Sequence, residues 1–298
     1  MTETTTEKPD LPEATNENWY EFAWRFREHI VDQIIAGGPP NFNAVFDQFV
    51  RFEANHFVHV YCVDAVSPET QEELGRYLTG NIKAERSTQG DGIAEAIKLK
   101  NLFFERVKYL ASLIEDDTDA VIELGCGWGV NLLLLHEIER ERKFPLVGAE
   151  YTESGRRLFG KLAALKGMTP KIAFIDHRAP DLGFLKDDAQ PIRKAFVFTC
   201  HSIEQVDFLP ANYFHALAAI APEVRGVHLE PFGFQLDAST SAAKKHKAWC
   251  EDNKWNQNFH ETLKGAERDG ALAIEHQELN RYSLEDGNPT SVAIWRKT

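Results

Sequence analysis

The sequence predicts an α/β protein built around a doubly wound, mostly parallel sheet. From residue 120 onwards, short apolar runs of strand character alternate with segments of helical spacing. A glycine-rich turn directly follows the first of these runs, and two strand-like segments at the end are joined by an Asp286-Gly287 turn. Strands that alternate with helices favour a parallel sheet with right-handed crossovers, and a short Asp-Gly connection is typical of a hairpin.

The first strand and its turn lie in residues 120–129, Ala-Val-Ile-Glu-Leu-Gly-Cys-Gly-Trp-Gly. A strand, a glycine turn and a following helix place backbone N–H groups and a helix N-terminus beside a bound ligand. Glycine is needed there because Cβ atoms would block a close backbone approach and positive φ angles. A dinucleotide fingerprint requires Gly-x-Gly-x-x-Gly, whereas the third glycine here, Gly129, comes one residue early.

The segment Glu123-Leu124-Gly125-Cys126-Gly127-Trp128-Gly129 resembles motif I of the class I S-adenosylmethionine-dependent methyltransferases. In that family the acidic residue and the glycine loop hold the methionine end of the cofactor. The resemblance covers about residues 93–298 and implies S-adenosyl-L-methionine as the cofactor. It makes cofactor-binding candidates of Glu123, Gly125, Cys126, Gly127 and Gly129. An ordinary tight turn that binds no cofactor is the alternative for this segment.

The remaining elements agree with this family. Further strands are predicted at 144–149, 171–175, 195–199, 226–229, 271–279 and 290–295, and helices at 153–166 and 256–269. The near-continuous apolar run 195–199 is typical of a central parallel strand that is buried on both faces. The closing hairpin fits the reversed last strand of the family, so the resemblance implies a seven-stranded, Rossmann-like methyltransferase fold.

Residues after the second, third and fourth strands are further cofactor-binding candidates. Glu150 ends the second strand, where an acidic residue of such folds accepts hydrogen bonds from both ribose hydroxyls, as it does in this family. The third strand leads to Asp176-His177, where the family places a side chain against the adenine amino group. Tyr151 and Cys200 complete the set. A solvated carboxylate at a strand end remains the alternative for Glu150, and a surface loop residue for His177.

The loop after the fourth strand, Cys200-His201-Ser202-Ile203-Glu204-Gln205, faces the methyl group in this family. His201 and Glu204 are three residues apart, so a short helical turn would put both on one face. Histidine suits proton transfer because its unperturbed pKa of about 6.5 lies near working pH. Our hypothesis is that His201 accepts the substrate proton or hydrogen-bonds the substrate. Glu204 would orient His201 or bind a cationic group. A helix-start histidine with a surface carboxylate is the alternative.

The substrate-binding candidates are Glu230, after the fifth strand, and Trp249 and Asn258, in an aromatic and amide-rich stretch. Aromatic rings with amides could frame a polar small molecule. A packed helix with a wet edge is the alternative for the stretch, and a strand-end residue beside a proline is the alternative for Glu230. Thr199-Cys200-His201-Ser202 stands where many amino-group methyltransferases carry an Asn-Pro-Pro-Tyr-type sequence. This departure puts methylation of DNA bases and of glutamine in doubt.

Composition narrows the class of partner. The chain has 298 residues, 43% of them hydrophobic, and a net charge of −13. This length supports one large domain. Enzymes that act on nucleic acid normally present a basic patch, so the acidic balance disfavours nucleic acid and favours a small neutral or cationic substrate. The chain contains no run of eighteen apolar residues, so no membrane span is predicted. The four cysteines lie far apart in the sequence, which argues against a zinc site and against a disulfide framework. We therefore expect reduced thiols, a cytoplasmic location and no metal.

The residues before the core are predicted to form a disordered tail over 1–16 and a helical cap over 17–92, followed by the methyltransferase domain over 93–298. Helices are expected from Asn16 to the Gly37-Gly38 break, over 42–52, over 69–78 and over 93–114, the last with Ile97 facing inward. Residues 56–63 are ambiguous between strand and helix. In the family, such N-terminal helices often cover the active site, so we expect the substrate to lie between cap and core.

Other functions stay open. The predicted reaction is methyl transfer to an oxygen or nitrogen of a small molecule. The alternatives are a non-catalytic member of the fold that binds the cofactor or a partner protein, and a methyltransferase that acts on a protein or nucleic acid. A nicotinamide-dependent oxidoreductase on a similar sheet is disfavoured by the glycine spacing. The sequence predicts neither the methyl acceptor nor the oligomeric state.

Overall fold

The computed structural model describes residues 16–38, 41–56, 93–142, 144–186, 191–282 and 288–298. The chain divides into two compact units, residues 1–99 and 100–298. The predicted cap boundary at residue 92 stays a prediction. Three expectations fall outside the described residues: the tail before Asn16, the helix at 69–78, and the Asp286-Gly287 turn. The same holds for most of the ambiguous segment 56–63.

The first unit contains two helices that the sequence predicts. Helix α1 spans Asn16–Ala36, and helix α2 spans Phe42–His56. The Asn41 side chain caps α2, because its Oδ1 accepts the Ala44 N–H at 2.9 Å. The two helices pack on each other, and both bury apolar side chains: Ala23, Ile30, Val31, Val45, Phe46 and Phe49.

Helix α3 spans Ile93–Leu113 and contains the point at which the two units divide. Val107 and Leu110 are fully buried, as the helical spacing predicts. The expectation for Ile97 is wrong, since this side chain is 54% exposed. Among the described side chains of α3, burial begins at Leu102, so the buried apolar stripe starts more than one turn after Ile97.

The second unit is built on a seven-stranded sheet in the order β3-β2-β1-β4-β5-β7-β6. The strands are β1 (Ala120–Leu124), β2 (Leu146–Ala149), β3 (Lys171–Ala173), β4 (Lys194–Cys200), β5 (Glu223–Glu230), β6 (Leu272–Tyr282) and β7 (Thr290–Lys297). The first five are parallel, and β7 runs antiparallel to both β5 and β6. The predicted doubly wound sheet with a reversed last strand is confirmed.

Helices connect these strands. They are α4 (Val130–Ile138), α5 (Glu153–Leu165), α6 (Tyr213–Ala218), α7 (Gly233–Leu236), α8 (Ser241–Asp252) and α9 (Phe259–Arg268). On one face of the sheet, Ile122 and Leu124 pack in a core with Phe214 of α6 and Phe259 of α9. All five residues of β1 are buried, so both faces of this strand are covered. Burial on both faces explains why β1 is apolar except for Glu123 and why β4 contains the apolar run 195–198.

Strand lengths differ from the sequence prediction according to position in the sheet. Edge strand β3 ends at Ala173, two residues earlier than expected, and its residues are only half-buried. Strand β5 begins at Glu223, three residues before the predicted start, because Glu223 and Val224 pair with Lys194 and Ala195 of β4. Ladder hydrogen bonds to a neighbouring strand can therefore extend a strand beyond its apolar run.

Gly226 of β5 permits the tightest packing in the sheet. It pairs with Trp295 of β7, and a Cβ on Gly226 would lie 2.0 Å from the Trp295 ring. The indole therefore lies directly over the glycine backbone and is fully buried. No helix within the described residues is long and apolar enough to cross a membrane.

Candidate functional site

The carboxyl ends of the parallel strands meet along one edge of the sheet. Strand order reverses between β1 and β4, since β2 and β3 lie on one side of β1 and β5 lies beyond β4. In open α/β sheets, ligands bind in the crevice outside the carboxyl ends of the strands at such a reversal. The glycine loop after β1 and the loop after β4 both lie at this point.

The glycine loop adopts the backbone that its sequence predicts. Gly125, Gly127 and Gly129 have φ angles of 75°, 52° and 75°. The N–H groups of Gly125 and Cys126 both donate to the Ala149 carbonyl, at 2.7 and 3.0 Å, which holds the loop against the end of β2. A Cβ on Gly125 would lie 2.2 Å from the Cβ of Ser202. The loop after β1 therefore touches the loop after β4.

Glu150 links the end of β2 to the glycine loop. Its Oε2 accepts the Gly127 N–H at 3.0 Å, and its Oε1 accepts the N–H and the hydroxyl of Thr152 at 2.9 and 2.7 Å. Burial raises the pKa of this carboxyl, and the hydrogen bonds from Thr152 and Gly127 oppose that shift. A carboxylate oxygen accepts two donors, so Oε2 keeps capacity for one more hydrogen bond.

Glu123, in β1, has one satisfied and one unsatisfied oxygen. Oε1 accepts the Asn131 side-chain amide at 2.6 Å, whereas Oε2 is buried without a hydrogen-bond partner among the described residues. Burial raises the pKa of Glu123 to about 8, and the nearby charges of Glu150 and Glu230 add to this effect. An unsatisfied buried carboxylate oxygen indicates either a bound proton or a place for an external donor.

Two exposed aromatic rings lie beside Glu150. Tyr151 follows β2 and Phe174 follows β3, and their ring centroids are 5.5 Å apart. They are 37% and 54% exposed, which is unusual for rings at the edge of a packed core. The Arg156 guanidinium lies 5.4 Å from the Phe174 ring centroid and donates to the carbonyls of Glu150 and Tyr151. Sequence reasoning missed Phe174, although a large aromatic residue directly after the third strand is a usable signal.

The two candidates after β3, Asp176 and His177, differ in how exposed their side chains are. Asp176 is part-exposed, and its Oδ1 accepts the Arg178 N–H at 2.9 Å. His177 is buried, with Nδ1 2.7 Å from the Tyr213 hydroxyl and Nε2 3.2 Å from the Ser202 hydroxyl. Burial lowers the pKa of His177 to about 4, so the ring is neutral. Both ring nitrogens thus have protein partners, and the expectation that His177 contacts a cofactor stays a prediction.

His201 and Glu204 lie together, in the arrangement that their spacing predicts. His201 follows β4 with a φ of 52°, and a short 3₁₀ turn at Ile203–Gln205 brings the Glu204 Oε2 to 2.9 Å from the His201 Nδ1. Burial raises the pKa of Glu204, but the opposing effects of His201, Asn288 and Arg106 dominate, so the pKa falls below its usual value. The carboxylate is therefore ionised and accepts the Nδ1–H.

Three residues that sequence reasoning missed complete this cluster. Thr290, the first residue of β7, places its hydroxyl 2.5 Å from the His201 Nε2. Arg106 of α3 places Nη2 3.0 Å from the same nitrogen and donates to the Thr290 hydroxyl at 2.8 Å. Asn288 donates to Glu204 at 3.1 Å. With Nδ1–H bound to Glu204, the His201 Nε2 is the acceptor in this cluster.

Two substrate-binding candidates have structural partners instead. Glu230 is fully buried and accepts backbone N–H groups of the turn after β4. The Asn258 side chain accepts the Leu209 N–H at 2.8 Å and donates to the Leu209 carbonyl at 2.9 Å. The expectation that these two residues bind substrate stays a prediction. Trp249 remains a candidate, since it is 43% exposed and packs perpendicular to Trp255 at 4.9 Å.

The cysteines at this edge are neutral thiols. Cys126 is buried within the glycine loop, and burial raises its pKa. Cys200 ends β4, and burial raises its pKa to about 12. In the part of the chain that the structure describes, Cys126, Cys200 and Cys250 are all free. No cluster of His, Cys, Asp and Glu among those residues could hold a metal ion.

Comparisons with known proteins give distant structural likenesses. No family model matches the chain, and no curated protein matches it. Magnesium protoporphyrin IX methyltransferase from Synechocystis PCC 6803, crystallised with S-adenosylhomocysteine, is 12% identical, with 84% of this chain and 99% of that chain covered and a TM-score of 0.46. Geranyl diphosphate C-methyltransferase from Streptomyces coelicolor A3(2) is 14% identical, with 78% and 99% covered and a TM-score of 0.43.

The topology of the second unit is itself specific. The sheet has seven strands in the order β3-β2-β1-β4-β5-β7-β6, and the mostly parallel sheet with a reversed last strand is what the motif I resemblance implies. The glycine loop lies at the point where the strand order reverses, with Glu150 at the end of the neighbouring strand. The chain therefore has the fold of the class I S-adenosylmethionine-dependent methyltransferases.

Proposed function

We propose that this protein is an S-adenosylmethionine-dependent methyltransferase that methylates an oxygen or nitrogen of a small molecule. One observation carries the proposal: a glycine loop with its acidic partner Glu150 and a His201–Glu204 pair share one edge of the sheet, in contact through Gly125 and Ser202. The first group suits a nucleoside cofactor, and the second suits removal of a proton from a substrate.

The residues at this edge fit the cofactor. The glycine loop would approach the methionine part closely, and Glu150 has acceptor capacity for a ribose hydroxyl. Tyr151 and Phe174 present exposed ring surface to an adenine, with Asp176 two residues after Phe174. Glu123 has an unsatisfied buried oxygen for a donor, Cys126 lies in the glycine loop, and Cys200 ends β4. When bound, the cofactor supplies an electrophilic methyl carbon on a sulfonium centre.

The His201–Glu204 pair would act as the general base. Glu204 holds the Nδ1–H, which fixes the tautomer and leaves the Nε2 lone pair as the proton acceptor. In the structure the His201 Nε2 lies 2.5 Å from the Thr290 hydroxyl oxygen. A substrate hydroxyl or ammonium would take the place of the Thr290 hydroxyl. His201 would accept its proton, and Glu204 would stabilise the imidazolium that forms.

The charge of the chain supports the substrate class. A net charge of −13 favours a neutral or cationic acceptor over nucleic acid, which needs a basic surface. Trp249 offers exposed ring surface on α8 and remains our candidate for substrate contact. The expected placement of the substrate under the N-terminal helices and the expected cytoplasmic location stay predictions.

The proposal is tested first by calorimetric titration of S-adenosylhomocysteine into the wild-type protein and into Glu150→Ala. Loss of a charged hydrogen-bond acceptor for the ribose should weaken binding by about 1.5–3 kcal/mol, or about 10- to 100-fold. Glu153→Ala is the matched control, because Glu153 is a nearby glutamate with a 72% exposed side chain. Nicotinamide dinucleotide should not bind. If wild type bound neither cofactor, the proposal would fail.

A non-catalytic binding protein on the same fold is the second candidate. It is favoured by the contacts at the His201 Nε2, which already faces Thr290 and Arg106 rather than open space. Incubation with S-adenosylmethionine labelled in the methyl group, across hydroxyl and amine acceptors, separates the two. Cofactor binding without label transfer to any acceptor would favour the binding protein.

A further inference from the structure

Arg106 of α3 is a buried cation whose hydrogen-bond partners are neutral. The residue is 9% exposed, and its Nη2 donates to the Thr290 hydroxyl at 2.8 Å and lies 3.0 Å from the His201 Nε2. Its Nε is buried without a hydrogen-bond partner among the described residues. No acidic side chain in the described part of the chain lies within ion-pair distance of this guanidinium. Arginines are rarely buried unless they are paired with an anion, so Arg106 lacks its usual partner.

The groups around Arg106 supply more hydrogen-bond donors than acceptors. The His201 Nδ1–H goes to Glu204, which leaves Nε2 with a single lone pair. The Thr290 hydroxyl, at 2.5 Å, and the Arg106 Nη2, at 3.0 Å, both lie within hydrogen-bond distance of that lone pair. Once Thr290 occupies it, one N–H of Nη2 and the N–H of Nε lack an acceptor. An anionic group of a ligand would supply the missing acceptor.

The shape of the guanidinium indicates which anion fits. A carboxylate bonds a guanidinium through two parallel N–H groups, and both edges that offer such a pair include Nη2. A carboxylate bound in this way must therefore use Nη2, the nitrogen that lies against the His201 Nε2. Its binding would remove one of the two donors that compete for the His201 lone pair. A ligand with a carboxylate thus makes that lone pair more available for a proton.

The charges on either side of the His201 ring match a zwitterion. Arg106 lies at Nε2, and the ionised Glu204 lies at Nδ1. Because the Arg106 Nη2 and the His201 Nε2 are 3.0 Å apart, a carboxylate and a proton-bearing group that bind to them must be close neighbours in one molecule. An α-amino acid has this arrangement, since one carbon separates its ammonium from its carboxylate. With a neutral side chain it carries no net charge, which agrees with the acidic balance of the chain.

We propose that Arg106 binds the carboxylate of the methyl acceptor, and that the acceptor is a small molecule in which an ammonium adjoins this carboxylate, as in an α-amino acid. The carboxylate occupies the guanidinium, and His201 takes a proton from the adjoining ammonium. Arg106 is therefore a substrate-binding residue that discriminates an acid from its amide. Methylation of the nitrogen rests on the proposed function, whereas binding of the carboxylate to Arg106 does not.

The binding test uses the cofactor-free wild-type protein and the standard α-amino acids, each compared with its amide, which keeps the ammonium but lacks the carboxylate. Nitrogen-15 NMR of the imidazoles follows the His201 Nε2 signal, which is assigned by its loss in His201→Ala. We expect at least one amino acid to shift this signal saturably. Its amide should bind about 10- to 100-fold more weakly, the range for loss of a charged hydrogen bond. The proposal fails if no amino acid shifts the signal, or if inorganic phosphate binds more tightly than every amino acid.

Substitutions of Arg106 separate substrate binding from a structural role. Arg106→Gln should abolish the preference for the acid over its amide. Arg106→Lys keeps the charge but lacks the paired N–H groups, so it should reduce this preference, and it serves if Arg106→Gln does not fold. Arg193→Gln is the matched control, because the Arg193 side chain is 79% exposed and precedes the end of β4 opposite to His201. A lower thermal stability with an unchanged acid-over-amide ratio in either folded variant would overturn the proposal.

Turnover with S-adenosylmethionine labelled in the methyl group gives a separate readout. The amino acid that binds should carry the label on its nitrogen, and kcat/KM for it should fall by about 10- to 100-fold in Arg106→Gln. Label recovered as a methyl ester would overturn the assignment of the ammonium as the acceptor. Binding of the amino acid to wild type without transfer of label would count against the proposed function and leave the Arg106 site unaffected.

Discussion

The two halves of the carboxyl edge of the sheet are assembled in different ways. On the cofactor side, Gly127 and Glu150 meet across 23 residues of chain, through consecutive strands β1 and β2. On the side of the His201–Glu204 pair, Arg106 reaches His201 across 95 residues and Thr290 across 184. The first half is a local motif, whereas the second exists only once the whole sheet has formed. Substitutions should therefore affect the two halves separately, except where they touch.

The largest effect is expected on the side of the pair. His201→Ala should lower turnover by about 10²- to 10⁴-fold, because a positioned general base contributes that much to proton transfer. Affinity for S-adenosylhomocysteine should stay at the wild-type value, since the glycine loop and Glu150 are untouched. Steady-state kinetics and calorimetry measure the two quantities. His276→Ala, at a half-exposed histidine of β6, is the control. Full turnover in His201→Ala would exclude His201 as the general base.

A substitution at the point where the two halves touch should affect both cofactor binding and turnover. Gly125→Ala adds a Cβ 2.2 Å from the Ser202 Cβ at a φ of 75°, so both the backbone conformation and the space oppose it. We expect destabilisation of about 1–3 kcal/mol together with weaker binding of S-adenosylhomocysteine and lower turnover.

Gly167→Ala is the matched control for Gly125→Ala. Gly167 has a φ of 72° with nothing within 4 Å of the added Cβ, so this variant reports the conformational cost alone. Thermal unfolding and calorimetry of the two proteins give the difference. Equal losses of stability in both variants, with normal cofactor binding in each, would show that the contact with Ser202 has no functional consequence.

The last effect is a change in the pH dependence of stability on the cofactor side. The pKa of Glu123 is raised to about 8, so the folded protein keeps this proton over a range where the unfolded chain has lost it. The unfolded state then binds fewer protons, and stability falls as pH rises from about 4.5 to about 8. Glu230, with a pKa raised to about 7, contributes in the same direction over the lower part of that range.

Glu123→Gln should make this decline shallower, because a neutral amide keeps the Asn131 contact without the buried charge. Urea unfolding of the cofactor-free protein between about pH 5 and pH 9 measures the slope. Glu278→Gln is the control, since Arg281 lowers the pKa of that carboxyl and its contribution is lost only at acidic pH. Identical slopes in wild type and Glu123→Gln would contradict the assignment of a buried, protonatable Glu123.

The contrast between the halves also explains what could be predicted from the sequence. The glycine loop, Glu150 and the pairing of His201 with Glu204 depend on short spacings that a pattern displays directly. Arg106 and Thr290 carry no motif, and only the reversed strand β7 brings Thr290 to His201. A one-residue shift in register would turn the side chains of a strand to the other face of the sheet. Sequence patterns leave that register open.

Three of the site candidates already have hydrogen-bond partners within the protein. Glu230, His177 and Asn258 all stand at strand or helix ends near the site, where polar residues are typical of ligand contacts. Each instead satisfies buried backbone or side-chain groups: Glu230 the turn after β4, His177 Ser202, and Asn258 Leu209. The demand for hydrogen-bond partners within a closed core is not visible in a linear sequence.

The van der Waals contact between Gly125 and Ser202 couples the two loops at the one point where they touch. A ligand that orders the glycine loop restricts Ser202 and, through it, the residue that precedes it. By reciprocity, a substrate that immobilises His201 raises the affinity for whatever occupies the glycine loop by the same factor. Substitutions at positions 125 and 202 should also be epistatic, because a Cβ at position 125 has room only if the side chain at position 202 is removed. Cooperativity of binding and tolerance to mutation thus depend on the same contact between Gly125 and Ser202.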